Sequence, residues 1–171
     1  MSFCAKSVAL MADKRIIGIG GAIIEKRKIC KTLRKGKSME GKMSDKELVV
    51  QFFMEGYVNK NYDFILECLS EKYIDHSPAG ARSNRDAVNI LKAVSNMFGE
   101  LQISVEDVFS ENGMVATRIR YDGVHIGECM GIAATGKRIS FEALENFKVA
   151  DGKIVESWGY WPDKEIEAML R

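Results

Sequence analysis

The chain has 171 residues, 46% hydrophobic and 29% charged, with a net charge of +1. That length fits one globular domain able to bury roughly 70% of its unfolded surface, and the composition excludes a disordered chain. Cys4, Cys30, Cys68 and Cys129 lack CxxC spacing and a matching histidine cluster, so neither a zinc site nor a disulfide framework is expected and a reducing, cytoplasmic setting follows.

The small net charge hides an asymmetry. Residues 1–43 hold eleven Lys and Arg against three Asp and Glu, a net +8, whereas the remainder holds fourteen against twenty-one, a net −7. A basic arm could touch nucleic acid or anionic lipid, but the acidic remainder has no basic stripe, so nucleic-acid binding is not expected. The apolar run Ile16–Ile24 is far shorter than the ~20 residues of a membrane span, and Asp13, Lys14 and Arg15 interrupt any signal-type apolar core. A dinucleotide GxGxxG beginning at Gly18 would need glycine at position 23, which is Ile23. Residues 1–43 are therefore expected to be a basic extension, poorly structured or dispensable, with the natural start at Met39 or Met43. The folded domain is expected over 44–171.

Ser44 and Glu47 form a capping box at the start of that domain. Leu48, Val49, Phe52, Phe53 and Tyr57 then recur at helical spacing, which predicts a helix from Ser44 to about Asn59 with one buried face. NKNYD breaks it. A short second helix follows from Tyr62 to about Leu69, and KYIDHS runs extended. Asn84 is the expected cap of a third helix reaching Phe98, with Val88, Leu91, Val94, Met97 and Phe98 facing the core. Beyond Phe98 the period changes to alternation, predicting three or four strands separated by ENG, by the stretch around GECMGIAATGK, and by ADGK. Helices first and strands afterwards argue an α+β fold, with the helices on one face of a curved antiparallel sheet.

The strand RISFEALENFKV is the most informative. Successive strand side chains point to opposite faces. One face carries Ile139, Phe141, Ala143, Glu145, Phe147 and Val149, so Glu145 is the sole carboxylate among apolar neighbours. An ionised carboxylate taken out of water must pair or hold a proton at a raised pKa, and either outcome suits a general acid or base. A structural pairing partner, or a bulge that turns Glu145 outward, is the alternative. In MVATRIRYDGVH the same alternation puts Tyr121 and His125 on the apolar face, where an imidazole can orient a substrate carbonyl or simply be a satisfied core group. Trp158 shares its parity with Ile154 in KIVESWGYW, and Trp161 falls on the other face.

The segment YIDHSPAG, the stretch DGVHIGECMGIAATGKRISFEALENFKVADGKIVESW and the closing Asp163 together resemble the SnoaL-like polyketide cyclase family of the nuclear-transport-factor-2-like superfamily, over about residues 44–168. The resemblance implies a cone-shaped α+β barrel in which three N-terminal helices close a curved antiparallel sheet around an apolar pocket. It implies intramolecular aldol closure without metal or cofactor, by an acidic residue on the strand that carries Glu145, where the family usually has aspartate. It also places His76, His125 and Trp158 around the pocket, with Asp163 near its mouth, and it favours a homodimer across the outer sheet face. Tyr121, Phe141 and Phe147, on the apolar strand faces with His125 and Glu145, are further expected lining residues. Two functions fit. One is an enzyme of cyclase, isomerase or lyase type on a small, mainly apolar carbonyl compound, with Glu145 as base and His76 or His125 bonding the enolate oxygen. The other is a module that binds a small apolar molecule, or associates, without turnover.

Overall fold

The computed structural model describes residues 43–78 and 80–171. The expected extension therefore lies outside the described residues, apart from Met43. Among the described residues no helix is long and apolar enough to cross a membrane.

Helix α1 (Asp45–Phe53) begins at Ser44, whose hydroxyl accepts the Glu47 N–H while the Glu47 carboxylate accepts the Ser44 N–H. This satisfies two of the otherwise orphaned donors of the first turn. A π-helical turn, Met54–Val58, continues it. The wider turn changes the register, and Gly56 and Tyr57 are both buried. Gly56 lets the turn pack closely, since a Cβ there would stand 3.1 Å from both Ile65 Cδ1 and Leu91 Cδ1 and push them aside by a few tenths of an ångström. Asn61 caps α2 (Tyr62–Cys68), which passes directly into β1 (Leu69–Asp75). The third helix, α3 (Asn84–Met97), is capped by Ser83, whose side chain accepts the Asp86 N–H. Asn84, the expected cap, is the first helical residue, and its side-chain amide instead donates to Leu66 O at 3.0 Å.

Four strands follow: β2 (Phe98–Glu111), β3 (Met114–His125), β4 (Arg138–Ala150) and β5 (Lys153–Tyr160). Asn112 and Gly113 join β2 to β3 with positive φ at both positions, as do Asp151 and Gly152 between β4 and β5. These are the two-residue hairpin turns whose twist matches the strands. A Cβ at Gly113 would meet Val149 O at 2.8 Å, so glycine is required on two counts. Strand order is β1-β5-β4-β3-β2. The β2 to β5 neighbours are antiparallel, but β1 pairs with β5 in parallel. The strands after Phe98 are antiparallel as expected, and β1, expected only to run extended, adds to them in parallel because it reaches β5 through α3 and the meander rather than through a hairpin.

The inner sheet face and the helices share one core. Phe147 of β4 meets Phe52 and Phe53 of α1 edge-on, with ring centroids 5.6 and 5.5 Å apart. Each such ring contributes about 1.5–3 kcal/mol by leaving water. A further helix not expected from the sequence, α4 (Asp163–Leu170), buries Ile166 and Leu170 one turn apart, and Lys137 Nζ donates to the Met169 and Leu170 carbonyls at its end. A cation there suits the helix dipole.

Candidate functional site

Strand β4 alternates without a break, so Ile139, Phe141, Ala143, Glu145, Phe147 and Val149 all face inward. Glu145 is 7% exposed. It stands opposite Thr117 of β3 and Gly159 of β5. A cavity of about 520 Å³ opens beside it, walled on the helix side by Phe52, Tyr57, Ile90, Leu91, Val94 and Met97, and on the sheet side by Tyr73, Asp75, Glu145, Ser157, Gly159 and Trp161. Asp163, the first residue of α4, also lines it.

The two carboxylate oxygens of Glu145 differ. Oε1 accepts from the Tyr121 hydroxyl at 2.8 Å and from the Trp161 indole N–H at 3.3 Å. Oε2 accepts no hydrogen bond from the described residues and is not among their sealed, unpartnered polar atoms. It lies beside Gly159, where a Cβ would come within 3.6 Å of it. One oxygen is thus tethered and the other is left to the cavity. Burial raises the Glu145 pKa to about 6, against the downward pull of the two donors and with the Asp75 charge adding to the rise. At neutral pH the group is therefore mostly ionised, and it is a stronger base than an ordinary glutamate. Burial also holds Tyr57 and Tyr121 well above the usual phenol range, with the Glu145 charge as the next cause, so both keep their protons as donors.

Of the residues picked from the sequence, Glu145 and Asp163 line the cavity. Tyr121 is fully buried and reaches it through its bond to Glu145. Phe141 and Phe147 lie one layer behind: Phe141 packs on Trp161 at 5.0 Å and stacks on Tyr121 at 5.1 Å, and Phe147 backs Phe52. The expected convergence of both histidines and Trp158 on Glu145 is not found. His76 is exposed, stacks on Trp158 with ring centroids 4.8 Å apart, and pairs with Glu156 at 2.9 Å. Trp158 sits opposite Asn146, on the outer face of β4. The reason is a bulge. Lys148 pairs with Glu156 and Val149 with Ile154, so Val155 has no opposite residue, and from Ser157 onward the inward parity shifts by one. Ser157, Gly159 and Trp161 take the positions that strict alternation would have given to Glu156, Trp158 and Tyr160.

His125 is buried, as its parity predicted, but it does not line the cavity. Its Nδ1 accepts the Thr135 N–H at 3.2 Å and lies 3.0 Å from Thr135 Oγ1, tying the end of β3 to the connection before β4. The acceptor role of Nδ1 puts the proton on Nε2, which is buried without a partner among the described residues. Sequence reading missed Trp161, Asp75, Ser157 and Gly159 as cavity residues. The bulge turns three of them inward against strict alternation, and Asp75 enters only because β1 pairs with β5, which no local pattern in KYIDHS records. Among the described residues no group of three or more His, Cys, Asp or Glu is placed to hold a metal ion.

Residues 47–168 match the family model described as SnoaL-like polyketide cyclase. The chain is 31% identical over 119 residues to the aklanonic acid methyl ester cyclase DnrD of Streptomyces peucetius, covering 67% of this chain and 79% of that protein. Among solved structures it is similar in fold to a SnoaL-like polyketide cyclase from Agrobacterium tumefaciens, with TM-score 0.65, 15% identity and coverage of 75% of this chain and 98% of that one. It is likewise similar in fold to TsrD from Streptomyces laurentii, with TM-score 0.66, 21% identity and coverage of 72% and 91%.

Proposed function

Because the chain belongs to the SnoaL-like polyketide cyclase family, we propose that it is an acid–base enzyme of cyclase, isomerase or lyase type that acts on a small, mainly apolar carbonyl compound without a cofactor. Glu145 is the base in this reading. The observation that carries it is the asymmetry of the carboxylate, with Oε1 held by Tyr121 and Trp161 and Oε2 left to the cavity.

Oε2 takes a proton from the carbon next to the substrate carbonyl, and the C–H electron pair becomes that of the enolate. In a cyclisation the enolate carbon attacks a second carbonyl of the same molecule, and the proton held by Glu145 returns to the new alkoxide. Tyr57, on the cavity wall and protonated throughout, is the donor available to the enolate oxygen in place of either histidine. The apolar walls from α1 and α3 exclude water and favour an uncharged ligand body. A homodimer through the outer sheet face completes the proposal.

The test is exchange of α-hydrogens into deuterated solvent by a ketone that binds the protein. Glu145→Gln should lower the exchange rate by about 10² to 10⁴ while binding persists. Unchanged exchange would remove Glu145 as the base, and bound ligand without exchange in the unaltered protein would leave a binding module.

A further inference from the structure

The cavity contains a second carboxylate, held differently from Glu145. Asp75 ends β1, with Oδ1 accepting the Ser77 N–H and Oδ2 accepting the Ser77 hydroxyl, both at 2.8 Å. Ser157 Oγ donates to Oδ1 at 3.4 Å. Its proton is thereby committed, so the Tyr73 hydroxyl donates into Ser157 Oγ. Tyr73, Ser157 and Asp75 form a chain of donors running one way and ending on the carboxylate. The chain spans two strands that pair in parallel, with Asp75 against Ser157.

The sheet register relates this corner to the base. Gly159 follows Ser157 by two residues on the inner face of β5 and stands opposite Glu145. Asp75 and Glu145 thus occupy diagonal positions two strands apart, with Ser157 beside Asp75 and the side-chain-free Gly159 beside Glu145 on the strand between them. Both carboxylates line the same cavity. We propose that Asp75 is a positioning residue of this site, a second carboxylate fixed by Ser77 and Ser157 whose charge acts on Glu145 across the open space above Gly159. The inference rests on the reading of Glu145 as the base.

Two like charges on one cavity wall oppose each other's ionisation, so a proton taken from substrate is held more readily by Glu145 when Asp75 is charged. The groups facing Glu145 are Tyr121 from β3, Trp161 beyond β5, Tyr57 from the π turn, and Tyr73 and Asp75 from β1. The three tyrosines all have raised pKa values, with burial the first cause, and stay neutral across the range in which Glu145 titrates. Asp75 itself faces Tyr73, Ser77 and Ser157, and the Arg82 guanidinium bonds its main-chain carbonyl at 2.7 Å. Asp163 is the remaining charged group on the cavity wall. Aspartate 75 is thus the charge whose removal is expected to be felt at Glu145.

The experiment needs no substrate. The full chain, carrying ¹³C-labelled glutamate carboxyls, is titrated by NMR between about pH 4 and 8, a span that brackets the ordinary and buried carboxyl ranges, and the Glu145 signal is assigned by its loss in Glu145→Gln. In Asp75→Asn the Glu145 midpoint should fall measurably below about 6, while burial, the larger cause, keeps it above the ordinary 4.5. Asp75→Glu, which restores the charge, should move it back. An unchanged midpoint in folded Asp75→Asn overturns the proposal. If that variant does not fold, Asp75→Ser, which keeps an acceptor for the Ser77 N–H, is read the same way. A shifted midpoint together with undiminished exchange in Glu145→Gln would remove the base and keep the coupling. The converse result would remove the coupling alone.

Discussion

Glu145 was legible as an exception: one carboxylate on an otherwise apolar strand face, in a strand whose alternation holds at every position. What it does to stability follows from its titration. Its folded pKa of about 6 lies above the ordinary 4.5. Below 4.5 the group is protonated in both states and the fold bears no cost. As pH rises through 6, the folded state must accept a buried charge that the unfolded chain carries in water, at about 2 kcal/mol. Glu145→Gln cannot ionise. Relative to the unaltered protein it should therefore gain about 2 kcal/mol between about pH 4 and pH 7, read from urea midpoints at each pH. Parallel stability curves for the two proteins would show that the carboxylate is not desolvated. His125 was legible as buried for the same periodic reason. Its bond to Thr135, ten residues away, was not, because nothing in a strand pattern fixes the path of the connection that follows.

At the scale of elements, one bulge decides which aromatic meets the base. The pattern KIVESWGYW points to Trp158 if alternation is strict. An unpaired Val155 delivers Trp161 instead and turns Trp158 outward onto His76. The signal that was present is Gly159, since glycine inside a strand often marks a bulge or a close approach. Its role is open to a direct test. A Cβ at Gly159 would lie 3.4 Å from Glu145 Cδ and Cγ and 3.6 Å from Oε2, which is ordinary contact. Gly159→Ala should accordingly fold with a stability change within about 1 kcal/mol, yet it covers the free oxygen and should lower α-hydrogen exchange about tenfold or more by displacing the reacting carbon by ~1 Å. Full exchange activity in that variant would mean that substrate does not approach Oε2 from this side. The capping box, the Asn112–Gly113 and Asp151–Gly152 turns and the helical stripes were all readable, because each is a local pattern. Helix α4 also carried a local signal, Ile166 and Leu170 at i and i+4, but over only 8 residues.

Over the described domain the outer sheet face carries the three most exposed large apolar side chains. Leu144 and Tyr160 pair across β4 and β5, and Phe109 lies one rung away opposite Ala116; they are 61, 65 and 69% exposed. Around them Arg118 bridges Asp107 and Glu142, and Arg120 bridges Glu142 and Glu106. Arg118 stands directly opposite Leu144, so the face interleaves exposed apolar side chains with paired charges, a composition that a mixed protein interface can use. Exposed ion pairs of this kind add little stability, so their value is in register. Light scattering of the purified chain should give twice the chain mass, and Leu144→Lys should return it to the monomer with the melting temperature of the fold retained. A monomer before substitution would retire the dimer.

The sequence by itself determined the α+β class, the three leading helices, the hairpin meander and the inward direction of Glu145, because caps, turns and side-chain periods act within a few residues. It also carried the family resemblance that the matches to residues 47–168 establish. Only the tertiary structure decided that β1 runs parallel to β5, that the bulge at Val155 brings Trp161 to Glu145, and that Asp75 shares the cavity while both histidines stand outside it. Those outcomes depend on which strands meet and in what register. That is fixed by burial of the shared core between distant segments, and no local pattern records it.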